Sequence, residues 1–131
     1  MSYTEKFGIA SVRRIILKIS AILMLLAIVY QTYFFIQPSV TITNNSQYLI
    51  EKASVTLPYS HWNFGTIASN NTNTIYYALD QNDGSYFYQF KMKAPLATEI
   101  AGECGYVTHS QYHKRVSITL TANLSVDCHT N

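Results

Sequence analysis

Hydrophobic positions follow two regimes along the chain. From Ile15 to Ile36 they run almost unbroken, and the eighteen residues Ile19–Ile36 (ISAILMLLAIVYQTYFFI) carry no charge. About 20 helical residues, each rising about 1.5 Å, cross a hydrocarbon core. Residues 15–36 are therefore predicted to be a transmembrane signal-anchor helix. Lys18 lies near its start, where a long stem reaches back to the headgroups. Tyr30, Tyr33, Phe34 and Phe35 gather at the far end, as interfacial aromatics do, and Pro38 stops the helix. The competing reading is a cleaved signal peptide. The apolar block is long for one and no A-x-A site follows it. No Cys directly follows it either, which excludes a lipoprotein anchor.

After Ser39 the pattern changes to alternation, with turn residues at spacings near ten. Val40–Thr43 is predicted as a strand ending at Asn44-Asn45-Ser46, and Ala53–Leu57 as one ending at Pro58. Trp62–Phe64 and Thr66-Ile67 flank Gly65, and Thr74–Leu79 is rich in Ile and Tyr. Asn82-Asp83-Gly84 reads as a hairpin turn, since Asp-Gly tolerates positive φ. Tyr86–Lys93 places Tyr86, Tyr88, Phe90 and Met92 on one face. Thr98–Val107 is interrupted by Gly102 and Gly105. Val116, Ile118 and Leu120 alternate with Ser117, Thr119 and Thr121, and Leu124–Cys128 closes the series. Seven or eight short strands without an intervening helix predict an all-β fold after the helix, a small antiparallel immunoglobulin-like sandwich. A small closed barrel is the alternative. The Cys…Trp…Cys order of antibody domains is absent, because Trp62 precedes both cysteines.

Charge adds topology. Before the apolar block stand Lys6, Arg13, Arg14 and Lys18 against Glu5; after it, five Lys/Arg face six acids. A positive flank stays in the cytoplasm, so Arg13, Arg14 and Lys18 are read as topology determinants. The domains expected are a cytoplasmic tip (1–14), the anchor (15–36) and an exported β-domain (39–131). The net charge of +2 is thus a topology signal rather than a nucleic-acid footprint. The five Gly include no phosphate-cradling run, so no nucleotide loop is expected.

Cys104 and Cys128 are the only cysteines. An even count in an oxidising compartment favours a structural disulfide, here tying the last strand to the one before it. Free thiols or a metal site are the alternatives, redox sensing a further one without a C-x-x-C. His61, His109, His113 and His129 fit no ligand spacing with either Cys and read as solvated loop residues, so no metal or cofactor is expected. Asp80–Gly84 brushes against a calcium loop, but Gly84 stands one position early and Lys91 replaces the closing Glu. Ser60 beside His61, and Ser110 beside His109, lack a nucleophile elbow, and adjacency alone does not make a catalytic pair. No catalytic residue is assigned and no enzyme is expected.

The aromatic load is high, with eleven Tyr and six Phe. Adjacent pairs (Tyr76-Tyr77, Phe87-Tyr88) place aromatics on both faces of a strand. Outward aromatics supply binding area at low entropy cost, so Tyr76, Tyr77, Phe87 and Tyr112 are candidates for a partner surface, against ordinary strand filling. Three N-x-[ST] sequons begin at Asn44, Asn70 and Asn123, read as chance in turns unless the source is eukaryotic or viral.

A basic tip, one anchor and a small exported β-domain with a late Cys pair resemble, in layout, the periplasmic companions of membrane-bound winged-helix regulators (the ToxS and TcpH type). Val40–Ser46, Val55–Pro58, Phe64–Ile67, Gly105–Val107 and Val116–Leu120 resemble uncharacterised single-pass bacterial β-domain proteins. Neither resemblance implies an activity. The expectation is a non-enzymatic accessory or binding protein of the bacterial inner membrane, its periplasmic domain contacting the membrane and a protein partner beside it. Alternatives are an immunity protein against a periplasm-acting toxin and a type II membrane glycoprotein.

Overall fold

The computed structural model describes residues 3–131, with side chains from Gly8 onward. The chain divides into two compact units, one ending at Phe35 and one spanning Ile36–Asn131. The first is a single helix, α1 (Tyr3–Ile36). It starts well before Ile15, because the preceding stretch contains no Pro and is supplied with helix-tolerant Ala10, Arg13 and Arg14. The expected tip and anchor are therefore one continuous helix. Leu23, Met24, Leu25 and Leu26 are 62, 68, 61 and 59% exposed. Four consecutive residues cover a full helical turn, so α1 is apolar on every face at this turn. No helix among the described residues meets the criterion of being long and apolar enough to cross a membrane, and the fold establishes α1 as a helix only.

The second unit is built from eight strands: β1 (Ser39–Asn44), β2 (Ile50–Leu57), β3 (Ser60–Ile67), β4 (Asn71–Tyr76), β5 (Gly84–Met92), β6 (Glu99–Val107), β7 (Arg115–Leu120) and β8 (Val126–Thr130). They form two four-stranded sheets, β4-β1-β7-β8 and β3-β2-β5-β6. Side chains from both sheets share one core, including Val40, Ile42, Val55, Tyr86, Phe90, Val116 and Ile118. The arrangement is sandwich-like, and strict alternation carries it. In β5, Tyr86, Tyr88, Phe90 and Met92 are buried while Phe87, Gln89 and Lys91 are exposed. In β7, Val116, Ile118 and Leu120 are buried.

Three details depart from the sequence reading. β1 and β7 run parallel, Val40 opposite Val116 and Ile42 opposite Ile118, so one sheet is mixed rather than antiparallel. β2 and β3 pair within one sheet, whereas the immunoglobulin order separates the second and third strands; the likeness to that fold is one of size and layering. Finally, Asn82–Gly84 is not a hairpin, since β4 pairs with β1 and β5 with β2. The segment between β4 and β5 carries the chain from one sheet to the other.

The pairings give the β-domain two ends. At one, here the base, lie the start of β1, the ends of β4 and β8, and the starts of β5 and β7. The β2–β3 turn at Pro58-Tyr59 and the β6–β7 loop also fall there. The chain arrives at the base and is fastened on arrival. The His113 N–H donates to the Ile36 carbonyl at 2.8 Å, Ser39 N–H to Lys114 at 2.9 Å and Tyr77 N–H to Pro38 at 3.1 Å. Arg115 Nη1 donates to the Gln37 carbonyl at 2.5 Å and to Ser39 Oγ at 3.1 Å. No loose stalk separates Ile36 from β1.

The distal end is pinned by Asn44, which is fully buried. Its Nδ2 donates to the carbonyls of Tyr48 and Ile67 at 2.8 and 3.1 Å. Its Oδ1 accepts from Ser46 N–H and Oγ at 3.1 and 2.7 Å. With its amide buried and committed, Asn44 offers nothing to a glycosyltransferase in the folded state, so that sequon is structural.

Candidate functional site

Cys104 and Cys128 are joined, with Cα atoms 5.6 Å apart. The bond does not run to the preceding strand as expected. Cys104 lies on β6, an edge strand of one sheet, and Cys128 on β8, an edge strand of the other. The opposite side of the sandwich is closed by the chain itself, through the short turn Ala68–Asn70 between β3 and β4. A bulge makes the bond possible. Ser85 pairs with Tyr106 but Phe87 with Glu103, so both Cys104 and Val107 face inward although three apart. Gly105 sits in that bulge at φ +68°, where a Cβ would strike Thr130 of β8.

Ser60, His61 and His109 are engaged with other partners. Ser60 Oγ donates to Gln81 Oε1 at 2.8 Å, and His61 Nδ1 bonds Thr56 Oγ1 at 2.8 Å. The His109 ring bonds the Gln81 carbonyl at 2.9 Å and approaches Asp80 at 3.7 Å, while the His109 backbone N–H donates to Asp83 Oδ1 at 2.7 Å. The acids of the calcium-like run thus hold the β6–β7 loop. Among the described residues, no group of three metal-ligating side chains converges.

One depression, of about 230 Å³, opens on the outer face of the β3-β2-β5-β6 sheet, lined by Lys52, Ser54, His61, Gln89, Lys91 and Glu99. Strand pairing sets Lys52 opposite Lys91 and Lys91 opposite Glu99. These residues come from two stretches, 52–61 and 89–99, that strand pairing brings together, and no local motif signals their meeting. The shallow, polar floor suits a small charged group, and the His61 Nδ1 that borders it is bonded to the Thr56 hydroxyl.

The predicted aromatic surface divides. Tyr77 is not on it, being 4% exposed. Its ring stacks on Trp62 at 4.7 Å and its hydroxyl meets that of Tyr86 at 2.6 Å. Burial first, then the bond to Tyr86, pushes the Tyr77 hydroxyl well above the ordinary tyrosine range; burial likewise raises Tyr86. Tyr76, Phe87 and Tyr112 are 45, 43 and 69% exposed, joined by two residues the pattern did not single out, Tyr59 at 84% and Tyr106 at 51%. Tyr59 lies in a two-residue turn and Tyr106 beside the bulge, so neither obeys simple alternation. The Arg115 guanidinium stands 5.6 Å from the Tyr76 ring centroid, a cation–π contact. Arg13, Arg14 and Lys18 are exposed on α1.

No protein-family model matches the chain, and no curated protein matches it. Among solved structures it is similar to the NMR structure of a protein from Eubacterium rectale. Identity is 14% and the TM-score 0.50, over 71% of this chain and 86% of that one. At that identity the likeness shows the fold alone.

Proposed function

We propose that the chain is a single-pass, non-enzymatic accessory or binding protein of the bacterial inner membrane. Its N-terminus is cytoplasmic, and its periplasmic β-domain engages a protein partner beside the bilayer. The observation that carries this reading is the second half of α1. Ile19–Ile36 holds eighteen consecutive uncharged residues. Its apolar side chains stand exposed on every face, from Ile19 at 52% to Phe35 at 64%. The length of the run supports the reading. The run is about 27 Å long at 1.5 Å per residue, and about 33 Å if taken from Ile15. A hydrocarbon core is about 30 Å thick. A helix apolar all round has no stable place in water. The Thr32 hydroxyl near the far end donates to the Ile28 carbonyl at 2.8 Å, as a hydrocarbon setting requires. The basic residues Arg13, Arg14 and Lys18 stand on the N-terminal side alone, which supports the orientation.

The accessory role is supported by the fastened arrival of the chain at β1, the exposed aromatics and the resemblance in layout to companion subunits of membrane-bound regulators. Alkaline carbonate extraction of membranes from cells expressing the full chain tests the anchor: the protein stays in the pellet. Recovery in the supernatant contradicts it.

A further inference from the structure

The exposed aromatic residues of the β-domain are not scattered. Tyr59, Tyr76, Phe87, Tyr106 and Tyr112 make up the large apolar or aromatic side chains exposed after Ile36. Tyr59 occupies the β2–β3 turn and Tyr112 the β6–β7 loop, both at the base. Tyr76 pairs with Ser39 at the first position of β1, and Tyr106 with Ser85 at the start of β5. Phe87, which pairs with Thr56, stands three residues after Gly84, the first of β5, about 10 Å from that strand's end at 3.3 Å per residue. The distal loops hold exposed Asn45, Gln47, Asn70, Pro95 and Asn123, and the apolar side chains of Tyr48, Leu96 and Leu124 there are half-buried against the core. The aromatic end is thus the end at which Ile36, the last residue of the apolar run, is fixed.

We propose that this base is an interfacial collar, by which the β-domain seats on the headgroup layer of the bilayer that α1 enters. The inference rests on the membrane-anchor reading and extends it to a second contact with lipid. Tyr combines an apolar ring with a polar tip, and such rings partition to the membrane–water boundary. Chain continuity favours the bilayer as occupant: hydrogen bonds fasten residues 36–39 to the base, so no linker lifts it away. Charge plays little part, because Lys114 and Arg115 at the base are balanced in number by Asp80 and Asp83. Seating is therefore independent of anionic lipid.

The test uses the full chain reconstituted into phosphatidylcholine vesicles, with and without anionic phosphatidylglycerol. A fluorinated phenylalanine is placed singly at Tyr59, at Tyr112 and, as distal control, at Gln47. The fluorine signals are read against a paramagnetic chelate on the lipid headgroups. The two ends lie about 30 Å apart for strands of nine residues, so positions 59 and 112 broaden at least about tenfold more than position 47, equally in both lipids. If the chain floats with the vesicles but the positions broaden alike, the collar is wrong and the anchor stands. If broadening at the base appears only with phosphatidylglycerol, seating by aromatic partition is wrong. If the chain does not float with the vesicles, the anchor fails and the collar fails with it.

Discussion

A hydroxyl taken into an apolar core needs a partner, and Tyr77 and Tyr86 supply one to each other at 2.6 Å. Tyr77→Phe strands the Tyr86 hydroxyl and costs about 1–3 kcal/mol, measured by urea unfolding of the full chain in neutral detergent. The double variant Tyr77→Phe/Tyr86→Phe removes both polar atoms and costs less than the sum of the singles. The pair also sets an alkaline limit. Both hydroxyls titrate above the ordinary tyrosine value in the folded state. Their contribution is intact below pH of about 10 and declines above it, as the unfolded chain releases protons that the folded chain keeps. The melting temperature of Tyr77→Phe therefore falls less steeply with alkaline pH than that of the parent; parallel curves contradict this account. These residues also mark a limit of sequence reading. Tyr76-Tyr77 was legible as a pair split between two faces, but not which member faced out. Tyr77 stands one residue beyond β4, where alternation no longer decides and packing on Trp62 does.

At the scale of elements, the disulfide joins the edges of two sheets rather than two neighbours in one. The spacing of 24 gives a loop-closure term of about 3.5 kcal/mol in the chain-entropy model. Cys104→Ser and Cys128→Ser each lower stability by roughly that amount, and the double variant is no worse than either single. Hydrogen exchange rises first along β6 and β8, since the bond is the covalent tie on that side. Exchange that rises uniformly contradicts an edge role. In α1, Leu25→Lys places a charge mid-run at about 3 kcal/mol on insertion scales and shifts the protein toward the carbonate supernatant; an unchanged pellet fraction argues against a span. The strands were largely legible, because β1, β5 and β7 alternate cleanly against one core. What escaped was pairing: the parallel β1–β7 contact and the sheet-to-sheet crossing before Gly84 depend on partners far away in sequence. Asp-Gly reports a permitted φ and does not choose the next strand's partner. The bulge at Gly105 was visible only as a glycine, although it turns Cys104 toward β8.

The whole molecule has a direction. The uncharged half of α1 precedes the β-domain in the chain, residues 36–39 are fastened to the aromatic base of that domain, and the basic residues before the apolar run support the proposed orientation. Composition and charge made the anchor and its orientation legible as an expectation. The concentration of exposed aromatics at the base was not legible, because Tyr59, Tyr76, Tyr106 and Tyr112 come from four separate segments that only the fold assembles. The most direct test is a dual reporter fused after Asn131 in a bacterial host, one half active only when exported and the other only in the cytoplasm. Exported activity alone, associated with the membrane fraction, is the result predicted; cytoplasmic activity from the same fusion contradicts a membrane-anchored chain with a periplasmic β-domain.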